Sequence, residues 1–145
     1  MNLYKKTEAI LYNYKKTKIE IKNLVLDLEA LENDYQGVQA IGYEERSSPT
    51  NAFNSSVENE IIKRDENILK LRNKIRLKEI EIEKVDNVLN SLNERDKYII
   101  KEYYIERNQL KNISKHINLE ESYLSSYKSK LIKDISNIMF LQEQY

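Results

Sequence analysis

The chain of 145 residues carries 24 basic and 24 acidic side chains with a formal net charge of zero, so no global basic field announces a nucleic-acid partner, and any basic surface must come from local segregation. The absence of cysteine and the single histidine, His116, exclude disulfide scaffolds, zinc ribbons and thiol nucleophiles, and no cofactor is expected. With one proline and two glycines, long helices are the expected way to use such a chain.

The opening residues lack the uninterrupted apolar run of a signal peptide, and no stretch reaches the ~20 apolar residues that span a bilayer. A cytoplasmic protein with no membrane partner is expected. Over residues 3–35 the positions Leu3, Thr7, Ile10, Tyr14, Thr17, Ile21, Leu24, Leu28, Leu31 and Tyr35 form a heptad seam. That pattern predicts one long helix burying a narrow stripe against another. Residues 36–56 hold both glycines, the proline and a cluster of Ser, Thr and Asn, which marks an interhelical loop.

A second seam follows. Ile61, Ile68, Ile75, Ile82 and Leu89 take one heptad position and Val57, Leu71, Val85 and Leu92 the other, with Arg64 and Lys78 interrupting. Ile62, Leu69, Leu77, Ile80 and Val88 widen this face beyond a two-stranded seam. An antiparallel hairpin of two long helices is therefore expected over residues 1–92, with leftover apolar surface that calls for a homo-oligomer.

From residue 93 the pattern changes to shorter apolar clusters. Residues 98–106 read as one helix ending near Arg107 and Asn108, and residues 109–117 as a second, burying Leu110, Ile113 and Ile117. Asn118 tolerates the left-handed backbone of a tight turn. Leu119 then turns inward, and a third helix carries Leu124, Tyr127, Leu131 and Ile135 on its buried side. Small Ser114 stands where the two helices of such a unit cross most closely. A compact helix-turn-helix domain is expected over residues 93–145.

These residues resemble region 4 of bacterial sigma factors: an opening Leu92 with Glu94 and Arg95, the Ile99-Ile100 pair, Tyr104-Ile105-Glu106, and the framework of Ile113, Ser114, Ile117, Asn118, Leu119, Leu124 and Leu131. Upstream, a lysine-rich coiled coil, the segment YQGVQAIGYEERSSPTN and a helix beginning ENEIIKRDE resemble the late-gene transcriptional activators of phages and prophages of the ArpU and RinA type. The resemblance implies an activator that binds double-stranded promoter DNA and contacts RNA polymerase. Four positions depart from region 4: Glu102 replaces a usual leucine, Tyr103 a usual arginine, Arg107 a common glycine and Tyr123 a frequent threonine.

In this motif class the second helix enters the major groove and its N-terminal residues meet base edges. The candidates are Glu121, Ser122, Ser125, Ser126, Lys128, Ser129 and Lys130. Serine can pair with any base and glutamate with the cytosine amino group, but the bidentate arginine contact to guanine has no donor here. Glu120 and Glu121 suit the positive end of a helix dipole and repel phosphates, so they read either as helix-initiating residues or, for Glu121, as a base contact.

Charge is segregated along the chain. Residues 1–23 hold six lysines against two glutamates, residues 24–60 hold eight acids and one arginine, and Lys70, Arg72, Lys74, Arg76 and Lys78 follow with no acid among them. In an antiparallel hairpin both basic stretches fall toward the open end, where they are candidate contacts to the DNA backbone. The alternative is solvated helix faces with i,i+4 pairing. Glu79 and Glu83 lack a catalytic partner at matching spacing, His116 suits a helix C-terminus, and the tyrosines recur at core spacing, with Tyr103 or Tyr123 left for a partner. No enzyme is expected. Alternatives to the transcriptional reading are a small terminase subunit binding phage DNA and a coiled-coil adaptor that binds only protein.

Overall fold

The computed structural model describes the backbone of residues 2–42 and 51–144, and the side chains of residues 2–34 and 56–144. Among these residues all regular structure is helical: α1 (Leu3–Tyr12), α2 (Tyr14–Gly42), α3 (Asn51–Ser91), α4 (Glu94–Ile100), α5 (Leu110–Ile117) and α6 (Glu121–Met139). A π-helical turn, Lys101–Ile105, continues α4, and a 3-10 turn, Leu141–Gln144, follows α6. The all-α expectation holds. Contacts divide the chain into two units, Ile19–Glu79 and a composite of Met1–Lys18 with Ile80–Tyr145.

In the first unit the seam is realised as an antiparallel pairing. Glu20 of α2 accepts from Lys78 at 2.6 Å and Glu32 from Arg72 at 2.6 Å. The acceptor moves forward along α2 as the donor moves back along α3. Ile21, Leu24, Leu28 and Leu31 of α2 and Val57, Ile61, Ile68 and Leu71 of α3 are half-buried, and Ile75 is buried. Lys78, which interrupts the apolar seam, is accommodated through its ion pair to Glu20.

The predicted loop at 36–56 is shorter than expected. Helix α2 runs on to Gly42 and α3 starts at Asn51. A single interior glycine costs a helix only about 1 kcal/mol, which a long flanking helix tolerates. Residues 43–50, with the proline, and the side chain of Tyr35 lie outside the described residues.

The composite unit holds the main core. Val85, Val88 and Leu89 from the end of α3 meet Leu11 of α1, Ile99, Ile100, Tyr104 and Ile105, Ile113 of α5, and Leu124, Leu131, Ile132, Ile135 and Met139 of α6. Two expectations change here. The break at residue 92 gives way to a unit that recruits both the N-terminal helix and the last turns of α3. The single helix over 3–35 is interrupted at Asn13, whose φ of −93° and ψ of 5° leave the helical range. The interruption divides α1, which buries Thr7 and Leu11 in the core, from α2. Thr7 is satisfied inside by donating its hydroxyl to the Leu3 carbonyl at 2.8 Å.

Side-chain capping explains the starts of α1 and α4. Asn2 accepts from the Lys5 N–H at 2.8 Å and Asn93 from the Asp96 N–H at 2.8 Å, each relieving one unpaired amide of a first turn.

Candidate nucleic-acid interface

Helices α5 and α6 are joined by three residues whose conformation follows from their chemistry. Asn118 takes φ 55° and ψ 43°, the left-handed well that asparagine enters more readily than most residues. The Leu119 N–H then returns to the Ser114 carbonyl at 3.1 Å. Ser114 is buried and donates its hydroxyl to Lys111 at 2.8 Å, so its small side chain brings no unpaired group into the helix contact. Leu119 and Tyr127 are half-buried against the core, while Ile113 and Leu124 are wholly inside it.

Glu120 starts α6 from an extended backbone, and its side chain makes no capping hydrogen bond. Both it and Glu121 are exposed, so their help to the helix is limited to the dipole. Ser122, Ser125 and Ser126 are exposed along the same N-terminal half, and Lys130 is exposed one turn further on. Ser129 is half-buried and donates its hydroxyl back to the Ser125 carbonyl at 3.1 Å, which occupies its proton.

Lys128 does not stand where the sequence placed it. It is only 9% exposed, with Nζ 3.7 Å from the ring centre of Tyr103 and 5.4 Å from that of Tyr104. The cause is the π-helical turn. Its wider closure is seen in the Glu106 N–H donating to Lys101 at 2.9 Å and the Asn108 N–H donating to Glu102 at 2.8 Å. It sets Tyr103 and Tyr104 in an edge-to-face pair with centres 4.9 Å apart, whose ring faces attract an ammonium.

Three further residues gather at this place. Glu102 and Tyr103 lie in the π turn, and Arg107 follows it at φ 55°, a left-handed position that glycine fills without strain. Arg107 compensates by donating to the Tyr12 carbonyl at 3.3 Å and lying 5.4 Å over the Tyr12 ring. Tyr12 in turn meets Tyr104 edge-on at 4.9 Å. Tyr103, Tyr104 and Arg107 thus build the seat for Tyr12 of α1. Burial first, and then neighbouring Tyr103, pushes the Tyr12 hydroxyl up to about 12. Burial and its hydrogen bond to Glu8, 2.8 Å long, push Tyr104 higher still.

The base of α6 is braced from α4. Tyr127 donates to buried Asp96 at 2.7 Å, and Arg95 lies 4.9 Å over the Tyr127 ring. The bond to Asp96, more than burial, raises the Tyr127 hydroxyl above its ordinary value. Tyr123 stacks on Tyr127 at 6.1 Å and remains 53% exposed, so it is the tyrosine left at the surface, whereas Tyr103 is engaged. His116 lies parallel to the Tyr98 ring at 4.8 Å, a contact that spacing alone did not foresee.

Of the basic stretch on α3, Arg72 and Lys78 are paired with α2 acids and Arg76 approaches Glu79 at 3.3 Å. Lys70 and Lys74 are exposed. These residues belong to the hairpin unit and Ser122, Ser125 and Ser126 to the composite unit. Within the composite unit, Lys111 and Lys115 on α5 and Lys133 on α6 are exposed cations that the sequence reading passed over. The signal was present: lysines four apart with no acid between them place two charges on one helical face.

Among the described residues no group of three or more His, Asp or Glu side chains is placed to hold a metal ion, and no helix is long and apolar enough to cross a membrane. Comparison with known protein families, with characterised proteins and with solved structures gives no match.

Proposed function

We propose that the chain is a sequence-specific DNA-binding activator of transcription, serving phage or prophage genes as its resemblance implies. In this reading the N-terminal half of α6 enters the major groove. Ser122, Ser125 and Ser126 meet base edges, with Glu121 beside them, while Lys111 and Lys115 of α5 and Lys130 of α6 neutralise flanking phosphates. The observation that carries it is the left-handed turn at Asn118, which leaves the serine face of α6 exposed while Leu124 is wholly buried.

Lys128 leaves this set and holds α6 to the π turn. Specificity then comes from hydroxyls and the Glu121 carboxylate, which discriminate less sharply than a bidentate arginine. A second site on the duplex would compensate, so we further propose a homodimer formed through the hairpin. Ile62, Leu69 and Leu77 of α3 support this, being 55%, 60% and 69% exposed. Contact with RNA polymerase belongs to the same proposal, and exposed Tyr123 is a suitable group for it.

One observation favours a second reading. With Lys128 withdrawn and Glu120 and Glu121 exposed, the tip of α6 carries no basic side chain before Lys130, which suits an adaptor that binds protein. Mapping occupancy across the genome and scoring transcription of the bound operons separates the two. An activator occupies promoters and raises their transcripts, an adaptor occupies none. Native mass measurement of the DNA complex adds the terminase alternative, for which a closed ring of many copies is expected in place of a dimer.

A further inference from the structure

A groove of about 430 Å³ in the composite unit lies apart from the serine face of α6. Its walls carry Lys15 and Lys18 from the start of α2, Asp86 from the end of α3, and Lys97, Lys101 and Glu106 from α4 and the π turn. Leu89 and Ile105, both buried core residues, also line it.

The charges do not cancel. Glu106 is engaged by Lys15 at 2.6 Å, and Asp86 accepts the hydroxyl of Tyr14. Lys18 rests 4.7 Å over the Tyr14 ring, and Asp86 is the acid whose charge favours it. Lys97 and Lys101 follow each other by one helical turn on the same wall, the arrangement in which like charges repel. Neither has an ion-pair partner among the described residues. With Lys15 paired to Glu106, three ammonium groups, Lys18, Lys97 and Lys101, line the concave site against the single carboxylate of Asp86, an excess of positive charge.

The geometry points to a binding site for a phosphoryl group, held by Lys97, Lys101 and Lys18. The groove contains lysines and no arginine, so it offers several mobile point charges, which together suit the multiple charge of a phosphoryl group without the fixed fork that an arginine presents to phosphate and carboxylate alike. Its size falls in the range of small-molecule sites. The same chemistry is offered by a phosphodiester of DNA. Only that source rests on the DNA-binding reading.

The test uses the full chain with carbon-13 in its lysine side chains, the Lys97 and Lys101 signals being assigned from K97Q and K101Q. Inorganic pyrophosphate is titrated at constant ionic strength, with and without a DNA duplex. Saturable movement of the Lys97 and Lys101 signals, beyond that of exposed Lys5, is expected, and K97Q/K101Q should weaken pyrophosphate binding by about tenfold or more. Displacement of pyrophosphate by duplex assigns the site to the DNA backbone, and binding of both together assigns it to a free phosphorylated ligand. A duplex that does not bind at all contradicts the DNA-binding reading and leaves the pyrophosphate result to decide the groove. Lys97 and Lys101 signals that move no more than Lys5 with either probe would overturn the site; because these are read in the wild-type chain, the result stands even if the double variant fails to fold.

Discussion

The two units close their apolar surfaces in different ways. In the composite unit Ile99, Ile100, Ile113, Leu124 and Ile132 are completely enclosed by the chain's own helices. In the hairpin Ile75 is buried, but Ile19, Leu26, Ile62, Leu69 and Leu77 stay more than half exposed. Two helices can cover only one stripe of each other, whereas six elements meeting at one centre can cover a core. The composite unit therefore holds most of the buried core, and the hairpin leaves apolar surface that the proposed dimer would cover.

The largest effect that sharpens this contrast is a cavity. Ile132→Ala should destabilise the protein by about 2–5 kcal/mol in denaturant titration, whereas Leu69→Ala should change monomer stability by no more than about 0.5 kcal/mol. Comparable losses at both sites would end the distinction between the units. Next comes Lys128→Ala, expected to cost about 1–2 kcal/mol through its lost contact with Tyr103. The same change should leave the salt dependence of DNA binding unaltered. If the slope of log affinity against log salt falls by roughly one, Lys128 is a phosphate contact after all.

These residues also show what could be read in advance. Heptad spacing located the paired helices, and the sequence Ile117-Asn118-Leu119 located the turn, because both are local consequences of helical period and of asparagine's tolerance for positive φ. Lys128 was misplaced because its environment depends on a π turn more than twenty residues earlier, and spacing within α6 holds no trace of it. The role of α1 was hidden for a related reason. Leu3, Thr7 and Ile10 continue the hairpin's heptad pattern, yet Thr7 is buried and Leu3 and Ile10 pack against the core of the composite unit. Spacing puts Val88 on the face that widens the second seam, yet this chain's own core covers it.

Asn118→Ala should cost about 1 kcal/mol, since alanine pays the full penalty of the left-handed backbone, and Asn118→Gly should be close to neutral. Thermal melts of the two variants check this. A smaller effect is expected at high pH. Tyr12 has its proton held up to about 12 in the folded chain against an ordinary value of 10.0. The unfolded chain thus loses this proton first as pH rises. The associated stability is complete below the unfolded value and disappears as pH climbs through about 12. Tyr12→Phe should flatten that alkaline loss in melts followed by circular dichroism. The smallest change in monomer stability is expected from Ile62→Lys with Leu69→Lys. Sedimentation at micromolar concentration should nevertheless show the dimer dissociating, and unaltered assembly would place the contact elsewhere.

The most direct measurement concerns the serine face. Duplexes bound by the wild-type chain are selected from a random pool, and their ranking is compared with that of Ser122→Ala, Ser125→Ala and Ser126→Ala combined. A folded triple variant should bind all duplexes with much the same salt slope but lose the ranking, because phosphate contacts are blind to sequence and groove contacts are not. Retention of both ranking and affinity by the folded variant would contradict base reading by α6.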